Sequence, residues 1–190
     1  KDINELNNAF IEYLNYGGYP EVVMNTDIKQ ELNRHVRHDI IDKVLLRDLP
    51  SLYGISDIQE LNKLFSVLCY NSGNEVSING LSKSSNIEKS TIKKYLEYLE
   101  AAFLVVKVRT IDQSGKHFKR EHAFKVYLTN PSMRAALFSP IKDTDQEIGH
   151  LVESAIFSQW FHSKEMDYIR YARWQRGEVD IVKLKEDTQK

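Results

Sequence analysis

The order of the patterns between residues 56 and 128, three helices and then two strands, constrains the fold more than any other feature of the sequence. A capping box at residues 56–59 predicts the start of the first helix, and Ser77 can cap a second, short helix. The third helix has apolar residues at helical spacing, namely Ile92, Leu96, Leu99 and Phe103. Two strand-like runs follow, at 103–109 and 123–128. Three helices followed by a hairpin predict a winged helix-turn-helix.

The start of the third helix and the link between the two strands carry the basic side chains of this region. In a winged helix the third helix presents its first residues to base edges and phosphates, and the wing contacts the phosphate backbone. The candidate nucleic-acid-binding residues are Lys89, Ser90, Thr91, Lys93, Lys94, Lys116, Lys119 and Arg120. Residues 107–125 hold six basic and two acidic residues, a local excess of four positive charges. We therefore expect contact with double-stranded DNA.

Acidic side chains on the same helix favour an alternative. Glu88, Glu97 and Glu100 lie among the lysines and weaken the attraction of the helix for a polyanion. A three-helix unit with a hairpin also serves as a protein-packing module, and a fold by itself does not determine a function. The alternative is therefore a module with a regulatory role, in protein interaction or in oligomerisation. A second copy of the chain, forming a homo-oligomer, is then an expected partner.

The composition argues against a membrane-spanning protein and against a disulfide-stabilised protein. The 190 residues are 42% hydrophobic, but no apolar run approaches the roughly 20 residues of a membrane helix. A single cysteine, Cys69, excludes a disulfide framework and a thiolate zinc cluster. These features favour a soluble, cytoplasmic protein without a membrane partner. The chain begins without methionine, and we expect a fragment of a larger protein.

The first 54 residues carry helical patterns only. One helix has Ile3, Leu6, Phe10 and Leu14 on its apolar face and is expected to end at Gly17-Gly18. A second apolar face repeats every four residues, through Ile28, Leu32, Val36, Ile40 and Val44. We expect this longer helix to stop at Leu49-Pro50.

Five short segments occur in the order found in one protein family. They are residues 10–21, 47–49, 90–100, 125–128 and 178–180. With these segments the chain resembles, along nearly its whole length, the C-terminal half of prokaryotic AAA-type ATPases. The expected fold class is α+β, mainly helical. The resemblance implies three parts, namely a connecting helical segment (1–54), a winged helix-turn-helix (55–140) and the start of a PD-(D/E)XK nuclease-like α/β unit (141–190).

The same resemblance implies a metal site. In PD-(D/E)XK nucleases a helix glutamate, a strand aspartate and an acidic-x-lysine element hold a divalent cation such as Mg²⁺. Glu153 lies in an amphipathic helical pattern and Asp180 in a strand-like run, so the two match the first two positions. Neither Lys183 nor Lys185 has an acidic residue two positions before it, so we expect no cleavage by these residues alone. A helix residue facing a polar neighbour and an exposed strand edge are the alternative interpretations of the two carboxylates.

No nucleotide-binding loop occurs in the sequence. Gly115-Lys116 is followed by His117, so the hydroxyl residue that completes a phosphate-binding loop is lacking. The chain itself is therefore expected to bind no cofactor apart from Mg²⁺. ATP is expected only in the N-terminal ATPase domain that the resemblance implies. That domain is also an expected partner of this chain.

Overall fold

A computed structural model describes residues 2–31, 33–111, 123–175 and 177–185 of the chain. Helices and one mixed sheet make up these residues, which confirms the α+β class. Within the described ranges, no helix is both long and apolar enough to cross a membrane.

The first part of the chain is helical. Its α-helices are α1 (Ile3–Tyr16), α2 (Pro20–Met24), α3 (Thr26–Gln30) and α4 (Leu49–Tyr53). Between α3 and α4 the backbone winds as two π-helical segments, Asn33–Asp42 and Val44–Asp48. Gly18 has a φ of +86°, which only glycine adopts without strain, and this confirms the turn expected after α1.

The π-helical winding changes which side chains of this region are buried. The pattern predicted Ile40 and Val44 on the buried face, but both are only half-buried. Val36 is buried as predicted, and the other buried side chains of this region are Ile41, Leu45 and Leu49. Because a π-helix closes its hydrogen bonds over five residues, its apolar face advances by more than the four residues assumed. Leu32 lies outside the described residues.

Pro50 does not end the helical region, contrary to the expectation. It lies in the first turn of α4, which directly continues the π-helical segment that ends at Asp48. The helix ends instead at Gly54, whose φ of +64° gives the left-handed conformation common after helices.

The middle of the chain alternates helices with short strands. The elements are α5 (Ile58–Tyr70), β1 (Glu75–Val76), α6 (Ile78–Ser85), α7 (Lys89–Ala101), β2 (Val105–Ile111) and β3 (Phe124–Leu128). Asp57 caps α5 by accepting a hydrogen bond from the N–H of Glu60, and Ser77 caps α6 by accepting one from Gly80. The strand β1 was not expected from the sequence, because two residues are too few to show a strand pattern.

Phe103 does not continue the buried face of α7, contrary to the expectation. Its φ is +56° and its side chain is 66% exposed. The helix therefore turns sharply at this residue, and Leu104, which is buried, leads the chain into β2.

The last part of the chain completes the sheet. Its elements are α8 (Ser132–Leu137), α9 (Ile148–Trp160), a 3-10 turn (Lys164–Tyr168), β4 (Ile169–Trp174) and β5 (Gly177–Lys183). The five strands have the order β1-β3-β2-β4-β5. Strands β2 and β4 are parallel, with Arg109 opposite Arg170, and the other neighbouring pairs are antiparallel.

Two cores pack on opposite faces of this sheet, because alternate side chains of β2 and β3 point to opposite sides. The larger one joins α5, α6, α7 and the β2–β3 hairpin through buried leucines and other apolar side chains. The smaller one packs α9 on the sheet through Val108, Tyr127, Phe157, Ile169 and Tyr171. The rings of Tyr127 and Phe157 stack with their centroids 4.0 Å apart. Because Val108 and Tyr127 belong to the hairpin, the C-terminal elements and the hairpin share one core.

Candidate functional site

Helices α6 and α7 are joined by a tight turn. Asn86 takes the left-handed conformation, with a φ of 58°, directly after α6, and α7 begins at Lys89. Ile87 in the turn and Ile92 on α7 are buried, so the inner side of the turn is fixed by the core. This leaves the first residues of α7 on the outer surface.

The predicted nucleic-acid-binding residues of α7 lie together on its exposed face. Lys89, Ser90, Lys93 and Lys94 are exposed and Thr91 is half-buried. The buried side chains Ile92, Tyr95, Leu96 and Leu99 occupy the opposite face. Within the described residues, none of the three lysines forms an ion pair. The other three predicted residues, Lys116, Lys119 and Arg120, lie outside the described residues.

The glutamates of this region are not equivalent. Glu88 and Glu97 are exposed, so their charges oppose those of the lysines. Glu100 is half-buried, and its carboxylate accepts a hydrogen bond from the backbone N–H of Lys107 at the start of β2. The exposed face of α7 thus carries three lysines together with the carboxylate of Glu97, and Glu88 directly precedes the helix.

A second cluster of charged side chains surrounds Lys125 on β3. The side chain of Lys125 is only 5% exposed. Its ammonium lies 2.7 Å from Asp180 Oδ1, 2.5 Å from Glu178 Oε1 and 3.5 Å from Glu153 Oε2. The three carboxylates come from β5 and α9. The cluster therefore connects the hairpin to both C-terminal elements.

Two buried tyrosines extend this cluster. The hydroxyl of Tyr127 donates a hydrogen bond of 2.7 Å to Glu153, and the hydroxyl of Tyr171 donates one of 2.9 Å to Glu75 on β1. Burial and these carboxylates raise the pKa of both tyrosines above the ordinary value. Both hydroxyls therefore remain protonated donors at neutral pH.

Lys125 is charged in spite of its burial. Burial lowers the pKa of its ammonium, but the hydrogen bonds to Asp180 and Glu178 more than offset this effect and leave the pKa raised. A buried cation that is held by three carboxylates neutralises part of their charge.

The sequence predicted Glu153 and Asp180 as metal ligands, and the structure places both carboxylates on Lys125. Carboxylate oxygens are suitable Mg²⁺ ligands, but here they already hold an ammonium group. Lys125 contacts one oxygen of each of these two carboxylates, and a metal ion bound by Glu153 and Asp180 stays a prediction. Across the described residues, no group of three or more His, Cys, Asp or Glu side chains has the geometry of a metal site.

Lys125 was the residue that sequence reasoning missed. The sequence pattern counted it among the basic residues of the wing, whereas it is buried within β3 between the apolar residues Phe124 and Val126. A lysine inside an otherwise apolar strand is a usable signal, because a buried cation requires an opposing charge. The sequence alone does not identify the partners, which lie 28 to 55 positions further along the chain.

Comparisons with known proteins place most of the chain in one domain family. A family model described as a domain of unknown function (DUF8612) matches residues 7–145, which run from α1 to just before α9. A relative described as an uncharacterized protein of Haemophilus influenzae is 27% identical over 172 residues, which cover 84% of this chain and 42% of the relative. The chain thus spans less than half the length of that relative. No solved structure matches it.

Proposed function

The chain belongs to the DUF8612 domain family, and we propose that its middle part is a winged helix that binds double-stranded DNA. We further propose that it does so as the C-terminal region of a larger AAA-type ATPase. The H. influenzae relative is more than twice as long as the segment it shares with this chain, which leaves room for such a domain.

The strand order supports the winged-helix interpretation. In winged helices a short strand between the first two helices pairs with the second strand of the hairpin. Here β1 lies between α5 and α6 and pairs with β3, at Glu75 opposite Lys125 and Val76 opposite Phe124. The three-residue turn between α6 and α7 is typical of a helix-turn-helix.

The observation that carries the DNA-binding proposal is the lysine face of α7. Lys89, Lys93 and Lys94 are exposed and, within the described residues, belong to no ion pair. They lie at the N-terminal end of the helix, where the partial positive charge of the backbone also attracts phosphates. Ser90 adds an exposed hydroxyl between them. This combination of donors suits a phosphate backbone better than an apolar protein surface.

The proposal is tested by fluorescence anisotropy of a labelled random duplex at two or more salt concentrations. The wild-type protein should bind at low salt, and the affinity should fall as salt rises, because phosphate contacts release counterions. Replacing Lys93 and Lys94 together with alanine should weaken binding and lower the salt slope by about 2, one unit for each lysine that contacts a phosphate.

Lys142→Ala is the matched control, since Lys142 is an exposed lysine before α9 and away from α7. It should leave both the affinity and the slope unchanged. An equal loss of DNA affinity in the control and in the double variant would mean that the DNA is attracted by the overall charge of the protein and not by α7. No binding of the folded protein at low salt would reject DNA binding and favour the protein-interaction module.

A further inference from the structure

A cavity of about 320 Å³ lies where the N-terminal helices, the α7–β2 turn and the end of α9 meet. Its volume falls within the range of small-molecule sites, roughly 300 to 1,000 Å³. It lies at the C-terminal end of α7, whereas the lysine face lies at the start of that helix. The cavity is therefore separate from the proposed DNA-binding surface.

One wall of the cavity holds a buried amide with an unused donor. Asn130 is only 7% exposed, and its Oδ1 accepts hydrogen bonds from the backbone N–H and the hydroxyl of Ser132. A backbone N–H can only donate, so these bonds fix which end of the amide is oxygen. Within the described residues, Asn130 Nδ2 donates to no acceptor. It lies beside Gly18, another residue of the cavity wall.

Aromatic rings also line the cavity. Phe103 and Phe161 line the cavity with their ring centroids 6.2 Å apart, and His162 packs against Phe161 at 3.6 Å. The φ of +56° at Phe103 costs free energy in any residue other than glycine. The carbonyl of this strained residue accepts a hydrogen bond from Thr129, so the strained turn is held in place.

Gln159 is a second amide side chain that lines the cavity. Its Nε2 donates to the hydroxyls of Tyr13 and Ser158, and within the described residues its Oε1 accepts no hydrogen bond. The cavity thus offers one amide donor, one amide acceptor and aromatic faces. A ligand that satisfies all three is flat and carries an acceptor and a donor on its edge.

We propose that this cavity binds a small planar heteroaromatic molecule of the nucleobase type. Asn130 Nδ2 donates to a ring nitrogen or carbonyl of the ligand, and Gln159 Oε1 accepts from its amino or imino group. Phe103 and Phe161 contact the face of the ring. The site does not depend on DNA binding by α7.

The proposal is tested with free adenine and free cytosine as probes, by saturation-transfer NMR and calorimetric titration of the whole chain. Ligands of this size bind with dissociation constants of about 0.1 to 1 mM. Asn130→Asp keeps the acceptor for Ser132 but replaces the free donor, and it should weaken binding by about tenfold. Phe161→Ala should weaken it by a similar factor, because alanine offers no ring to the face of the ligand.

Trp160→Ala is the matched control, because Trp160 is an aromatic neighbour of Phe161 that is not part of the cavity wall. It should leave binding unchanged, and so should the alanine variant of Lys93 and Lys94. Toluene, a ring without polar edge groups, should bind more weakly than either base. Absence of binding to the folded protein at about 10 mM, well above the expected constants, would overturn the proposal. Unchanged binding in Phe161→Ala would overturn it as well, whether or not Asn130→Asp folds.

Discussion

Replacing Lys125 with methionine should lower the free energy of unfolding by about 1 to 3 kcal/mol, because the carboxylates that lose their cation are only partly buried. The substitution keeps most of the side-chain volume but removes the only cation that contacts all three of Glu153, Glu178 and Asp180 within the described residues. The carboxylates would then repel one another across a partly buried space. Urea unfolding of the two proteins measures the difference.

Lys183→Met provides the comparison for this substitution. Lys183 also pairs with a carboxylate, that of Glu165 at 2.8 Å, but its side chain is 55% exposed. An exposed pair of this kind contributes about 0 to 1 kcal/mol. Similar losses for the two variants would mean that the Lys125 cluster is no more important than an ordinary surface ion pair.

At the residue scale the sequence indicated two carboxylates that the structure brings together, but it did not indicate the lysine between them. Glu153 and Asp180 were selected because they match a nuclease pattern, and the structure brings both to one point. The two carboxylates meet at Lys125, and Lys125 becomes buried only when α9 and β5 pack close to β3. Long-range packing of this kind leaves no periodic pattern in the sequence.

Substitution of a single glycine tests the end of helix α1. Gly18→Ala should lower the free energy of unfolding by about 1 to 3 kcal/mol, because φ is unfavourable and the new Cβ would overlap Asn130. The overlap would involve Asn130 Nδ2, and that amide is held by Ser132 and cannot move away freely. Thermal or urea unfolding measures the loss.

At the element scale, Gly149→Ala in helix α9 should have the opposite effect on stability from Gly18→Ala. Gly149 lies in the first turn of α9, and a Cβ added there would have no other atom within 4 Å, so alanine should raise the stability by up to about 1 kcal/mol. If both variants were destabilised equally, a general sensitivity of the chain to alanine would explain the result, and the close approach of Gly18 to Asn130 would not.

Helices with ordinary geometry were predictable from the sequence, and unusual ones were not. The periodic apolar residues of α5 and α7 indicated their positions, because α-helical spacing keeps such residues on one face. The region between α3 and α4 was predicted as one regular helix and contains π-helical turns instead. Apolar residues four apart fit an α-helix closely enough that the pattern does not reveal the wider winding.

The whole described structure should unfold as one cooperative unit. Strand β4 pairs with β2, and the core formed by Val108, Tyr127 and Phe157 crosses residue 140, where the sequence placed a domain boundary. Both tryptophans, Trp160 and Trp174, follow that residue, whereas most helices precede it. Tryptophan fluorescence and far-UV circular dichroism should therefore give the same urea midpoint. Separate midpoints would favour the predicted boundary.

At the scale of the molecule the sequence predicted the strands better than their arrangement. The positions of β2, β3 and β5 followed from short strand-like runs in the sequence. The parallel pairing of β2 with β4 did not, because it joins residues about sixty positions apart and depends on the path through α8 and α9. Local patterns carry no information on that path.

The cluster around Lys125 also limits how sequences related to this one can diverge. A mutation of the lysine alone leaves three carboxylates without their cation, and a mutation of one carboxylate alone leaves the lysine partly unpaired. Single steps away from this arrangement should therefore cost stability, while joint changes should cost less. The four positions on β3, α9 and β5 should be inherited together or lost together, as one unit of evolutionary change.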